Sequence, residues 1–233
     1  MTSISGLFAN TFSYVSTNAG QKQTAASKPE SVSASLEKTT PETAKAVPGT
    51  LASAAIAARD KLDAGYKKLG EVGSIYTSGK DWDAIGFRDF DRQTLYAISS
   101  NEGGLFSDLE VTIAKSQVGA RISDIINSND PVHNPTKVFR EIVNFYDAAS
   151  DDEKASFEWA IARASAQKSY MLSGGTENVG TGNRVVDKLM QAWDQVVARG
   201  GNSNDFANMP AYGEALTWWA QDNGGARHVD LNV

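Results

Sequence analysis

The sequence predicts an all-α fold: a single domain of about six helices behind a disordered N-terminal tail. Three observations carry that expectation. Between residues 50 and 222, Ser, Thr, Asn and Asp recur where apolar segments begin, and their side-chain oxygens can accept the free N–H groups of a first helical turn. The apolar residues that follow are spaced i, i+3, i+4, i+7, the period of one helix face. Alternating apolar–polar strings, the mark of half-buried strands, are nearly absent.

The tail is assigned to residues 1–49 and the helical domain to 50–233. The tail is rich in Ser, Thr, Ala, Lys and Gln and holds three of the six prolines, Pro29, Pro41 and Pro48. From Asn18 to Val47 its largest apolar residues are Val32, Leu36 and Val47, too far apart to form a face. Such a segment cannot offset the roughly 1–2 kcal/mol of backbone entropy that ordering each residue costs.

The elements are expected as follows. Thr50 caps an Ala-rich helix that stops at Gly70. Residues 71–90, with Tyr76, Trp82, Ile85, Phe87 and Phe90, read as an irregular connection pinned by aromatics. Asp91 caps a short helix through Ser99, which Asn101-Glu102-Gly103-Gly104 breaks. Ser107-Asp108-Leu109-Glu110 forms a capping box, in which Ser and Glu satisfy each other's backbone N–H. It opens a stripe of Leu109, Ile113, Val118, Ile122, Ile125 and Ile126.

Pro135 after Asn134 starts the next helix without loss of a hydrogen bond, with Val138, Ile142, Phe145 and Tyr146 on its apolar face. Ser150-Asp151-Asp152-Glu153 reads as a second capping box leading into Phe157, Ile161 and Ala164. The Gly-rich stretch from Ser173 to Asn183 reads as a flexible linker. A helix from Arg184 to Arg199 presents Val186, Leu189, Trp193 and Val197, and Pro210 opens a last helix that carries Leu216, Trp218 and Trp219.

Composition narrows the function classes. A formal charge of −6 and no clustered Lys/Arg stripe argue against a nucleic-acid partner, because a phosphate backbone recruits positive charge. With no cysteine there is neither a disulfide nor a thiolate metal site. No apolar run approaches the ~18–20 residues that span a bilayer, so a soluble chain without a transmembrane segment is expected. No Lys or Arg precedes Lys22, and the patch of Leu7, Phe8, Phe12, Tyr14 and Val15 is interrupted by polar residues, unlike a secretory signal. That patch is a candidate docking or export element. The Ser/Thr-rich composition around it resembles the leaders of bacterial proteins exported without a cleaved signal, which implies a cytoplasmic origin or such an export route.

Ser99 to Glu110 is the most specific local pattern. Counted as a twelve-residue loop it has Gly104 sixth, Phe106 eighth, Ser107 ninth and a carboxylate, Glu110, twelfth, and it resembles a degenerate EF-hand loop. The resemblance implies calcium ligation by Asn101, Ser107 and Glu110. The first position is Ser99 rather than Asp, so Glu110 is the only acidic side chain at a ligand position and calcium affinity should be low. The heptapeptides Leu109–Lys115 and Phe157–Arg163 echo each other 48 residues apart, which would make Asp147–Glu158 a partner loop.

Glu102 before Gly103-Gly104 is similar to the Glu-Ser-Gly corner of lytic transglycosylases, which implies a general acid acting on a glycan. Gly103 replaces that serine, and the family's later Gly-Leu-Met-Gln segment is missing. The loop Gly174–Gly182 lacks the Lys-Ser/Thr pair of a phosphate-binding loop. His133 and His228 are isolated.

Trp218 and Trp219 are adjacent, so on a helix they point about 100° apart. One can anchor a core while the other faces a groove or solvent. Together with Leu7, Phe8, Phe12 and Tyr14 they are the candidate partner-binding residues. The function expected from these features is a non-enzymatic protein-interaction or structural module. A calcium-responsive protein and a peptidoglycan-cleaving enzyme using Glu102 are the alternatives.

Overall fold

The computed structural model describes residues 49–70 and 78–223. The expectations for the tail, including Leu7, Phe8, Phe12, Tyr14 and Val15, and for His228 lie outside these residues. Among the described residues the structure is all-helical, with no strand.

Among the described residues nine α-helices follow one another, more than the six expected. They are α1 (Leu51–Leu69), α2 (Gly79–Ile85), α3 (Arg92–Ser99), α4 (Asp108–Ser128), α5 (Pro135–Asp147), α6 (Asp151–Lys154), α7 (Phe157–Leu172), α8 (Arg184–Ala198) and α9 (Pro210–Asp222). Three 3₁₀ turns, Phe87–Asp89, Glu102–Gly104 and Ser203–Asn208, join them. The start signals act as read: Thr50, Asp91, Ser107 and Asn134 each accept a first-turn N–H, and Asn183, not singled out from the sequence, does the same for α8.

Three readings are corrected. The stretch before Phe90 is helical from Gly79 onward, because Ser78 and Asp81 form a capping box around a seven-residue helix too short to show a period. The segment after Ser150 is two helices rather than one. Ser150 caps α6, but the Glu153 carboxylate does not turn back to complete a box; it pairs with Arg92, and Ser156 caps α7 anew. The expected core residue Val197 is 44% exposed while Val196 is buried, because the buried face of α8 centres on Leu189, Trp193 and Val196 and Val197 falls at its edge in the last turn.

The interior is divided into two clusters rather than gathered in one. The first, from Leu51 to Ala114, packs α1 against α2 and α3 and α3 against α4. A chain of edge-to-face rings runs through it: Tyr66 to Trp82 at 6.4 Å, Trp82 to Phe87 at 5.5 Å, and Phe87 to Phe90 at 5.7 Å. Gly65 lets α2 lie against α1, since a Cβ there would sit 2.4 Å from the Ile85 carbonyl oxygen.

The second cluster, from Ile122 to Trp219, is built around α7. This helix packs against α5 on one side and α8 on the other, and α8 in turn packs against α9. Its small residues Ala160, Ala162, Ala164, Ser165 and Ala166 are all buried, so its neighbours approach closely. Trp193 stacks on Phe206 at 4.3 Å, and Phe157 meets Tyr212 at 5.6 Å and Trp219 at 5.7 Å.

Candidate interaction surface

The tryptophan pair divides as helix geometry requires. Trp219 is buried, and its indole N–H donates to the Ala155 carbonyl at 2.7 Å. Trp218 lies half-buried on the seam between α8 and α9. Two cations from successive turns of α8 cover its ring: Lys188 Nζ at 4.7 Å and Arg184 Cζ at 5.4 Å from the centroid.

Each cation also pairs with an acid of α9, one turn to either side of Trp218. Lys188 Nζ lies 2.9 Å from Glu214, and Arg184 Nε donates to Asp222 at 3.0 Å. The Asp222 hydrogen bond raises the Arg184 pKa. α8 and α9 therefore carry a charged frame around an aromatic centre. Nothing in the spacing of Arg184 and Lys188 points to Trp218; antiparallel packing of the two helices brings them together.

Asn101, Ser107 and Glu110 belong to the first cluster's elements, in the connection after α3 and the first turn of α4. Asn101 has left-handed backbone geometry (φ 51°), and its Oδ1 accepts from Phe106 N–H at 2.9 Å. Glu110 is buried, and both its oxygens are engaged. Oε1 accepts from Arg59 Nη1 at 2.9 Å and the Tyr66 hydroxyl at 2.8 Å. Oε2 accepts from Ser107 N–H at 2.8 Å, Ser107 Oγ at 3.0 Å and Arg59 Nη1 at 3.0 Å. Burial opposes ionisation of Glu110, yet the bonds from Ser107, Tyr66 and Arg59 outweigh it and hold its pKa below the usual carboxylate value. Burial, then the bond to Glu110, raises the Tyr66 phenol.

The second loop is likewise occupied. Asp147 holds the fully buried Arg163 through Nε at 2.6 Å and Nη2 at 3.1 Å, and α6 begins within the loop. The two echoed heptapeptides fall in different registers. Glu110 is the third residue of α4, whereas Glu158 is the second of α7 and is exposed. Among the described residues no group of three or more His, Cys, Asp or Glu side chains could hold a metal ion.

Glu102 is half-buried at the head of its 3₁₀ turn, and exposed His133 approaches Asp130 at 2.9 Å. The Gly-rich segment 173–183 is anchored rather than a free linker. Arg163 Nη2 donates to the Val179 carbonyl at 2.6 Å, the Glu177 N–H donates to the Tyr170 hydroxyl at 3.3 Å, and Val179 is buried.

Arg92 is a residue that sequence reading passed over. Its Nη2 and Nε donate to Glu153 at 2.6 and 2.8 Å, its Nη1 donates to the Phe145 carbonyl, and its guanidinium lies 4.0 Å from the Phe145 ring centroid. Arg92 and Glu153 are 61 residues apart in the chain, with no local pattern to pair them. No helix of the described residues is long and apolar enough to cross a membrane. Compared with known proteins, the chain matches no family, no curated protein and no solved structure.

Proposed function

We propose that the chain is a non-enzymatic interaction module that engages a protein partner through the α8–α9 face around Trp218. The single observation that carries this reading is the placement of Trp218. A large aromatic ring stays partly open to solvent beside Trp219, which is in the core, and two cations hold it in position. Trp and Arg dominate the energetics of protein interfaces because each combines extensive apolar area with a directional polar group. Ion pairs around a ring also reduce the rotamer freedom that binding would otherwise remove. In this reading the N-terminal segment with Leu7, Phe8, Phe12 and Tyr14 serves docking or export.

The test compares three immobilised proteins: the full chain, its Trp218→Ala variant, and a chain lacking residues 1–48. Specific capture by the full chain that Trp218→Ala abolishes, at an unchanged unfolding temperature, supports the reading. Equal capture by Trp218→Ala overturns the assignment of the face. Capture lost only with residues 1–48 transfers the role to the tail.

A further inference from the structure

Helix α4 serves both interiors. Its N-terminal half buries Glu110 and Ala114 in the first, and its C-terminal half buries Ile122 in the second. The seven residues 115–121 between them include no buried side chain. Half-buried Val118, in the middle of that stretch, packs on the first cluster, and next to it Gly119 stands in open space, where an added Cβ would meet nothing within 4 Å.

A mid-helix glycine is less stable than alanine by about 0.5–1 kcal/mol, and here no close approach of a neighbour requires one. The Gly119 carbonyl accepts a further bond from Ser123 Oγ at 3.1 Å, a contact that slightly destabilises helices and often bends them.

Among the described residues, the side-chain bonds that join the two clusters are polar. Arg92 of α3 reaches Glu153, the Phe145 carbonyl and the Phe145 ring, with the Tyr146 ring at 5.3 Å. Arg121 donates to the Phe90 carbonyl. A polar join between packed units of one chain permits relative motion, whereas a large apolar join suppresses it. Arg92 and Glu153 are mostly shielded, their side chains 13% and 12% exposed, so removing either partner leaves the other charge poorly solvated.

We propose that α4 is a hinge centred on Gly119 and that the Arg92–Glu153 pair is its latch, holding the two packed clusters in the closed arrangement. Releasing the latch lets the clusters move apart as intact units, pivoting on the turn of α4 around Gly119.

The chain has no cysteine, so two spin labels can be placed cleanly at Ala64→Cys on α1 and Gln191→Cys on α8, both exposed. Distances between them are measured by pulsed electron resonance in that background, then with Arg92→Gln, Glu153→Gln or Gly119→Ala added. Near-ultraviolet dichroism reports whether the cores remain packed. The expected result is one dominant distance in the parent and a second, displaced population in each latch variant with packing retained. Gly119→Ala combined with Arg92→Gln should make that second population smaller. Distance distributions in both latch variants that coincide with the parent's overturn the proposal. So does loss of core packing in both, because the clusters would then be one cooperative unit.

Discussion

Glu110 shows how one side chain is claimed by its surroundings. It closes its own helix cap and accepts from Arg59 and Tyr66 of α1. Replacing it with Ala removes the acceptor of Tyr66 and one of the two carboxylates that Arg59 pairs with, Asp63 remaining at 2.7 Å, and a loss of about 1–3 kcal/mol is expected from chemical denaturation. Its pKa is depressed in the fold, so the stability it contributes is complete above the ordinary Glu range near 4.3. That contribution is lost as pH falls through the depressed value. The stability gap between the parent and Glu110→Gln should therefore be wide at pH 7 and shrink progressively below about pH 4. A gap independent of pH would contradict the ion pair. The tryptophans separate in the same way. Trp219→Ala opens a cavity beside Phe157 and orphans the Ala155 carbonyl, costing about 3–5 kcal/mol. Trp218→Ala, at the surface, should cost less than half of that in the same melts.

At the level of the helix, close approach decides more than propensity. Glycine inside α1 is unfavourable for the isolated helix, yet Gly65→Ala should destabilise the chain. Its Cβ would press on the backbone of Ile85, and overpacking costs about 1–3 kcal/mol. Gly119→Ala, in open space on α4, should instead stabilise by about 0.5–1 kcal/mol. Thermal unfolding of the two variants is thus expected to shift in opposite directions, although both make the same substitution within a helix. α7 illustrates the same influence of packing. Its buried face includes Arg163, Gln167 and Lys168, residues that periodicity assigns to solvent. Asp147, the Val179 carbonyl and Asp194 supply the partners that make their burial tolerable.

Across the whole molecule, two clusters share one long helix, and their cross-links are arginine bonds. The described residues contain both clusters, so a chain lacking residues 1–48 should unfold at the temperature of the full chain in calorimetry. A large drop would show that the tail completes one of the cores. The Arg92–Glu153 pair spans the two clusters, and Arg92→Gln should weaken their coupling more than it weakens either one. In calorimetry a single transition would broaden or split.

The helical class, most helix starts and the division of labour within the tryptophan pair were legible in the sequence. Capping and the 3.6-residue period are local, and each is complete within a few neighbouring residues. Tertiary structure decided the rest: that Glu153 leaves its cap for Arg92, that Glu110 meets Arg59 and Tyr66, that Arg184 and Lys188 cover Trp218, and that the interior divides at residues 115–121 of α4. These contacts join positions tens of residues apart, and an ion pair or ring contact at such separation leaves no periodic trace. Only the packing of helices against one another selects which of many chemically suitable partners meet.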